Sequence, residues 1–201
     1  MSNRSLKIDT DKWRAWFKHR RDSHDLANRD TVTEFLRNGS EYRIEAGNRL
    51  LQILILPSFE PIRSYELFSF LGPKQARVEG DYILLQTTWD ERAEKQRWLH
   101  TGKPEYVLPN LQLAYVEVDS DVVKGLFEPF KANIPIWFEP NKSLDKIGLD
   151  GTKYELALGG YFLGVRYVWW ESVPDEWGLL AETTDRMIVE FDRLLATKHI
   201  D

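Results

Sequence analysis

The densest gathering of chemically capable side chains lies late in the chain, at Glu155, Gly164, Arg166, Trp170, Glu171 and Trp177. Alternate residues of an extended segment share one face, so Arg166 and Trp170 fall on the same side as Gly164. Folding the chain back about Gly159-Gly160 sets Glu155 opposite Gly164 and diagonal to Arg166, within cross-strand reach. A glycine inside a strand leaves room for a ligand or another backbone, and Trp and Arg are enriched among interface hot spots. The chemistry on offer is recognition: a charged pair, an indole, and the acidic residues Glu171, Asp175 and Glu176 beside them. The plain alternative is a Glu–Arg pair on a solvated strand, with Trp170 covering a sheet edge.

A second candidate is basic. Lys12, Arg14, Lys18, Arg20 and Arg21 follow one another with no acid after Asp11. Such cations can contact phosphates while Trp13, Trp16 and Phe17 stack on bases. The same residues also read as an amphipathic helix, because Trp13, Trp16, Phe17 and Arg20 fall at i, i+3, i+4 and i+7. In that case the rings dock on the core and the cations face outward.

The usual catalytic signatures are missing. His19 and His24 would point about 140° apart on a helix, unlike an i, i+4 ligand pair. His100 and His199 are the other histidines, and there is no HExxH pattern, so no metal site is expected. Asp90, Glu91 and Glu94 bring carboxylates together, but Arg92, Lys95 and Arg97 are interleaved, and Glu91→Lys95 has the favourable i, i+4 orientation. A salt-bridged solvated helix is the better reading. Leu71-Gly72-Pro73-Lys74 lacks a second glycine, and Gly159-Gly160 through Gly164 lies within a hairpin rather than between strand and helix, which excludes P-loop and Rossmann readings. There is no GxSxG elbow. Cysteine is absent, which removes disulfides, thiolate metal sites and cysteine nucleophiles together. Neither a catalytic residue nor a cofactor is expected. Dispersed carboxylates such as Glu155 or Asp90 leave a hydrolase-like enzyme as an alternative.

Positioning these groups requires a sizeable core. The 201 residues are 42% apolar and 13% aromatic, enough for one domain of residues 40–201 carrying an N-terminal helical appendage over residues 1–39. No apolar run is long enough for a transmembrane helix, and the polar N-terminus lacks a secretory pattern, so the cytoplasm is the default expectation and no membrane partner is expected. The net charge of −5 is unevenly spread: residues 1–30 carry +3 and the rest −8. An acidic body disfavours broad binding to nucleic acid and suits a basic partner.

Helices are predicted after Asp9 or Thr10 and after Asp30, the latter stopping at Asn38-Gly39. A hairpin is predicted for Glu41–Ala46 with Arg49–Leu56, turned by Gly47-Asn48. Its second strand is apolar on both faces, which suits a central place in a sheet. Further strands are predicted at Tyr65–Phe70, Tyr82–Gln86, Leu111–Val118 and Ile134–Phe138. Thr88-Trp89-Asp90-Glu91 has the form of a capping box for a helix to about Leu99. Asp119 or Ser120 can cap another over Val122–Phe130. In the terminal hairpin, with Gly159-Gly160 as the loop, Leu158 faces Tyr161, Leu156 faces Leu163 and Tyr154 faces Val165. Ser172 through Asp175 then offers a cap, and Trp177, Leu180, Ala181, Thr184, Met187, Ile188, Phe191, Leu194 and Leu195 trace one helical stripe. The fold class expected is α+β: a mainly antiparallel sheet of hairpins covered by a long C-terminal helix, with the N-terminal helices docked alongside.

The ending Asp150-Gly151-Thr152-Lys153-Tyr154-Glu155-Leu156, then Trp169-Trp170, Pro174, Trp177 and a final helix, resembles the C-termini of small uncharacterised bacterial proteins, some of them immunity or defence-like. The resemblance covers about a quarter of the chain and supplies no catalytic residues. It implies a bacterial, cytoplasmic protein. The leading expectation is a non-enzymatic binding protein acting through a protein partner, with toxin neutralisation or defence as its setting. A nucleic-acid or phosphate-ligand binder using the basic N-terminal helix is the alternative.

Overall fold

A computed structural model describes residues 10–19, 29–38, 47–70, 82–101, 109–133, 151–160, 163–173 and 175–197. Six strands form one sheet: β1 (Gly47–Pro57), β2 (Ile62–Phe70), β3 (Tyr82–Trp89), β4 (Gln112–Val118), β5 (Thr152–Gly160) and β6 (Leu163–Trp170). Their order is β4-β3-β2-β1-β5-β6, and every neighbouring pair is antiparallel. Among the described residues five α-helices accompany them: α1 (Thr10–His19), α2 (Arg29–Asn38), α3 (Glu91–Thr101), α4 (Ser120–Asn133) and α5 (Gly178–Ala196). The class is α+β, as the patterning predicts. Among the described residues no helix is long and apolar enough to cross a membrane.

β1 is apolar on both faces because both faces are covered. Leu51, Ile53 and Ile55 join Tyr65, Leu67, Leu84, Leu156 and Tyr167 beneath Val123 and Phe130 of α4 and Leu180, Met187, Phe191 and Leu195 of α5. On the other face Leu54, Leu56, Ile62 and Trp89 pack against Val32 and Leu36 of α2. Phe35, beside Val32 and Leu36 on α2, takes up Trp16 and Phe17 of α1. Each such buried side chain contributes about 1.5–3 kcal/mol relative to exposure.

The turn expected at Gly47-Asn48 does not form. Gly47 and Asn48 are already in β1, paired with Phe70 and Ser69. The expected partner strand Glu41–Ala46 lies outside the described residues, as does Ile134–Phe138. β1 pairs instead with β2 and β5, a choice made by long-range burial of both faces rather than by local turn chemistry. A bulge between Arg49 and Leu51 redirects Arg49 toward α2, where Nη1 donates to Arg37 O at 2.9 Å and meets Glu66 at 3.1 Å.

The terminal hairpin also turns later than expected. Gly160 pairs with Leu163 and Gly159 with Gly164, so Leu156 faces Tyr167 rather than Leu163, and Glu155 faces Val168 rather than Gly164. The turn centre moves by two residues and each partner by four. An even displacement keeps every side chain on its face, and Glu155 stays diagonal to Arg166.

Two caps differ from expectation. Asp90, not Thr88, caps α3: its Oδ1 accepts from the Arg92 and Ala93 amides at 2.9 and 3.0 Å, while Thr88 pairs in the sheet with Arg63 and Gln112. Neither Ser172 nor Asp175 caps α5. That helix starts at Gly178 after a 3₁₀ turn over Asp175–Trp177, and Trp177 at its N-cap makes no side-chain cap bond. The Trp177 ring packs edge-on against Tyr167, 5.5 Å away, which holds the chain in that turn.

Candidate functional site

The site is assembled from both ends of the chain. Along α2, Asp30, Glu34 and Arg37 recur at helical spacing. On β5, Lys153 and Glu155 point to the same sheet face as α2, and on β6 so do Arg166 and Trp170. These elements bound a cleft of about 770 Å³ whose lining includes Arg29, Asp30, Glu34, Arg37, Lys153 and Trp170. The rim is completed by Ser58 and Phe59 of the β1–β2 connection and by Glu91 of α3.

Behind Arg37 and Lys153 of the cleft wall stands Glu155, its side chain only 4% exposed. Arg37 Nε donates to Glu155 Oε2 at 2.8 Å, and Arg37 Nη2 donates to Oε1. Arg166 Nη2 also donates to Oε2, and Lys153 Nζ lies 3.4 Å from Oε1. Burial alone would push the Glu155 carboxyl up. The hydrogen bonds and charges of Arg37 and Arg166 outweigh it and hold the group below its ordinary value, so it is firmly ionised.

The outer end is fixed by a separate pair. Arg29 Nη1 reaches Glu91 at 3.3 Å and Nη2 donates to Pro57 O at 2.6 Å. Glu91 also takes Lys95 at 2.6 Å, the i, i+4 pair the sequence predicts. Burial raises its carboxyl, but Lys95 and Arg29 prevail and lower it. Gly151, at φ 132°, exchanges hydrogen bonds with Ser58 and so ties the start of β5 to the rim.

Of the residues singled out by sequence, Glu155 and Arg166 are brought into contact, and Trp170 stands on the same sheet face opposite Lys153, lining the cleft. Glu171 is not part of the cleft: its Oε1 accepts from the Thr152 amide at 3.0 Å. Asp175 and Glu176 sit exposed in the turn before α5, which packs on the opposite face of the sheet. Asp90, Glu91 and Glu94 are dispersed as well. Asp90 caps α3, Glu91 faces the cleft, and Glu94 is buried, accepting from Arg97 and from the Asn110 amide. In the basic N-terminal helix, Trp16 and Phe17 are buried and Trp13, Trp16 and Phe17 all ring Phe35 at 4.9–5.9 Å. Arg20 and Arg21 lie outside the described residues, as do the side chains of Arg14 and Lys18. Lys12 is on α1.

Sequence reasoning missed Arg29, Arg37, Phe59 and Lys153. The one signal available was Glu155 itself, an acid set among apolar strand residues that must find counter-charges if buried. Among the described residues, no group of three or more His, Asp or Glu side chains could hold a metal ion. Comparison with protein-family models, with curated proteins and with solved structures gives no match to the chain.

Proposed function

We propose that this is a non-enzymatic binding protein that acts through a protein partner, in the setting of bacterial toxin neutralisation or defence. The observation that supports this reading is the cleft wall. Trp170 and the 60%-exposed Phe59 line it together with Arg37, which Glu155 holds in place. A tryptophan sharing a wall with a positioned arginine is the composition of an interface hot spot, and positioning in advance lowers the ordering cost of binding. The acidic body would speed encounter with a basic partner.

The other readings draw less support. In α1 the buried rings of Trp16 and Phe17 are taken up by Phe35, which removes the stacking half of a nucleic-acid interface. Glu155 is held ionised by two guanidiniums, a poor state for a general acid, and Asp90 is engaged as a helix cap. The test is capture by immobilised protein from a lysate of the source organism, comparing wild type with a Trp170→Ala, Phe59→Ala double variant of unchanged melting temperature. A partner held by the wild type should be lost by the variant; an unchanged set of captured proteins overturns the reading.

A further inference from the structure

We propose that Arg37, Lys153 and Arg166, gathered over Glu155 beside Trp170, form a subsite for a carboxylate or phosphate group of the bound ligand. The proposal deepens the partner-binding reading, since it rests on the cleft being the bound surface.

The argument starts from a charge imbalance. Three cations converge on one carboxylate, two of them, Arg37 and Lys153, lining the cleft, so Glu155 neutralises one of three positive charges gathered around it. All three cations remain partly open to solvent, at 28% for Arg37, 30% for Lys153 and 48% for Arg166. Their donors are not exhausted either. Arg37 uses Nε and Nη2 on Glu155, and Arg166 uses Nη2, so Arg37 Nη1 and Arg166 Nε and Nη1 meet no acceptor among the described residues. A guanidinium has five donors in a rigid fork suited to carboxylate and phosphate oxygens. Here each fork is pinned by a buried carboxylate, so little side-chain entropy is lost on taking a second anion.

Trp170 supplies the wall. It is the cross-strand partner of Lys153, on the same face as Arg166, and it lines the cleft with Arg37 and Lys153. The acids facing the same space are Asp30, Glu34 and Glu91. Asp30 precedes Arg37 by seven residues, about 10 Å along α2, and Glu91 is engaged with Arg29 and Lys95. Glu34, one turn before Arg37, offsets part of the positive charge, and Arg29 at the start of α2 is balanced by Glu91, so the net positive end of the cleft is where Arg37 meets Lys153 of β5. The ligand's anion belongs at that end.

The test follows the Trp170 indole resonance, assigned with Trp170→Phe, during titration of the whole protein with inorganic phosphate or a short glutamate-containing peptide, chloride held constant. The subsite predicts a saturable shift that weakens about tenfold on Arg166→Gln, as expected for loss of one charge-assisted hydrogen bond. The shift should vanish in the Lys153→Gln, Arg166→Gln double variant. Both variants leave the Arg37–Glu155 pair in place, and an unchanged melting temperature confirms the fold. Saturation by phosphate alone assigns the site to a phosphate-bearing ligand; saturation by the peptide assigns it to a partner carboxylate. A shift that is absent, linear, or identical in the double variant overturns the subsite. Partner capture lost with Trp170→Ala yet unchanged in the double variant would discard the subsite and keep the partner reading. Saturable anion binding that is lost in the double variant, with capture unchanged even in Trp170→Ala, would keep the subsite and discard the partner reading.

Discussion

Arg37, in the last turn of α2, and Glu155, in the middle of β5, form a two-pronged ion pair across 118 residues of sequence. The pair fastens the N-terminal helices to the C-terminal hairpin at the cleft wall. Because the acid is buried and the arginine is not, the two partners are energetically unequal.

Removing Arg37 still leaves Glu155 with Arg166 and Lys153, so Arg37→Ala should cost about 1.5–3 kcal/mol, the range for a lost hydrogen bond to a charged group. Glu155→Ala leaves three cations facing an apolar gap and should cost more. A double-mutant cycle read by urea unfolding should give clear positive coupling between the two sites. Strictly additive losses would show that the pair does not act as a unit.

The acid limb of the stability profile should carry the mark of Glu155. Its folded-state carboxyl lies below the ordinary value of 4.5. Its contribution is therefore complete above that value and is lost as pH falls below it, where the unfolded chain takes up the proton first. Glu155→Gln should flatten the decline in unfolding free energy below pH 4.5. An acid limb as steep as that of the wild type would contradict this assignment.

On the alkaline side the marker is Tyr65. Burial, then its hydrogen bond to Asp192 at 2.6 Å, push its hydroxyl up to about 12 from 10.0. The neutral phenol is the folded form, so its contribution is complete below pH 10 and is lost between there and about 12, as the unfolded chain ionises first. Tyr65→Phe should remove that part of the alkaline destabilisation, measured by denaturation at stepped pH. The variant would lose the same stability as wild type across this window if the assignment is wrong.

Phe35 is the keystone of the N-terminal layer, fully buried and ringed by Trp13, Trp16 and Phe17. Phe35→Ala should cost about 3–5 kcal/mol and should raise hydrogen exchange in α1 before it does so in the sheet. Equal exchange gains in α1 and in β1 would show that the two layers unfold together.

What the sequence by itself determined was local and periodic. The i, i+3, i+4 stripe of the last helix and the two-sided apolarity of β1 both hold, since each is written in the spacing of neighbouring residues. The faces of β5 and β6 were also legible, because strand alternation survives any even displacement of register. Turn placement was not: Gly47-Asn48 carries turn residues yet lies in a strand, since burying Leu51 and Leu54 on opposite faces outweighs turn preference. The cleft was legible only in part. Glu155 and Arg166 meet across one hairpin, but Arg37 arrives from α2, and no local pattern encodes a partner 118 residues away. Only the tertiary structure decided that three cations share one carboxylate, because a buried charge draws its counter-ions from whatever the packed chain brings within a few ångströms.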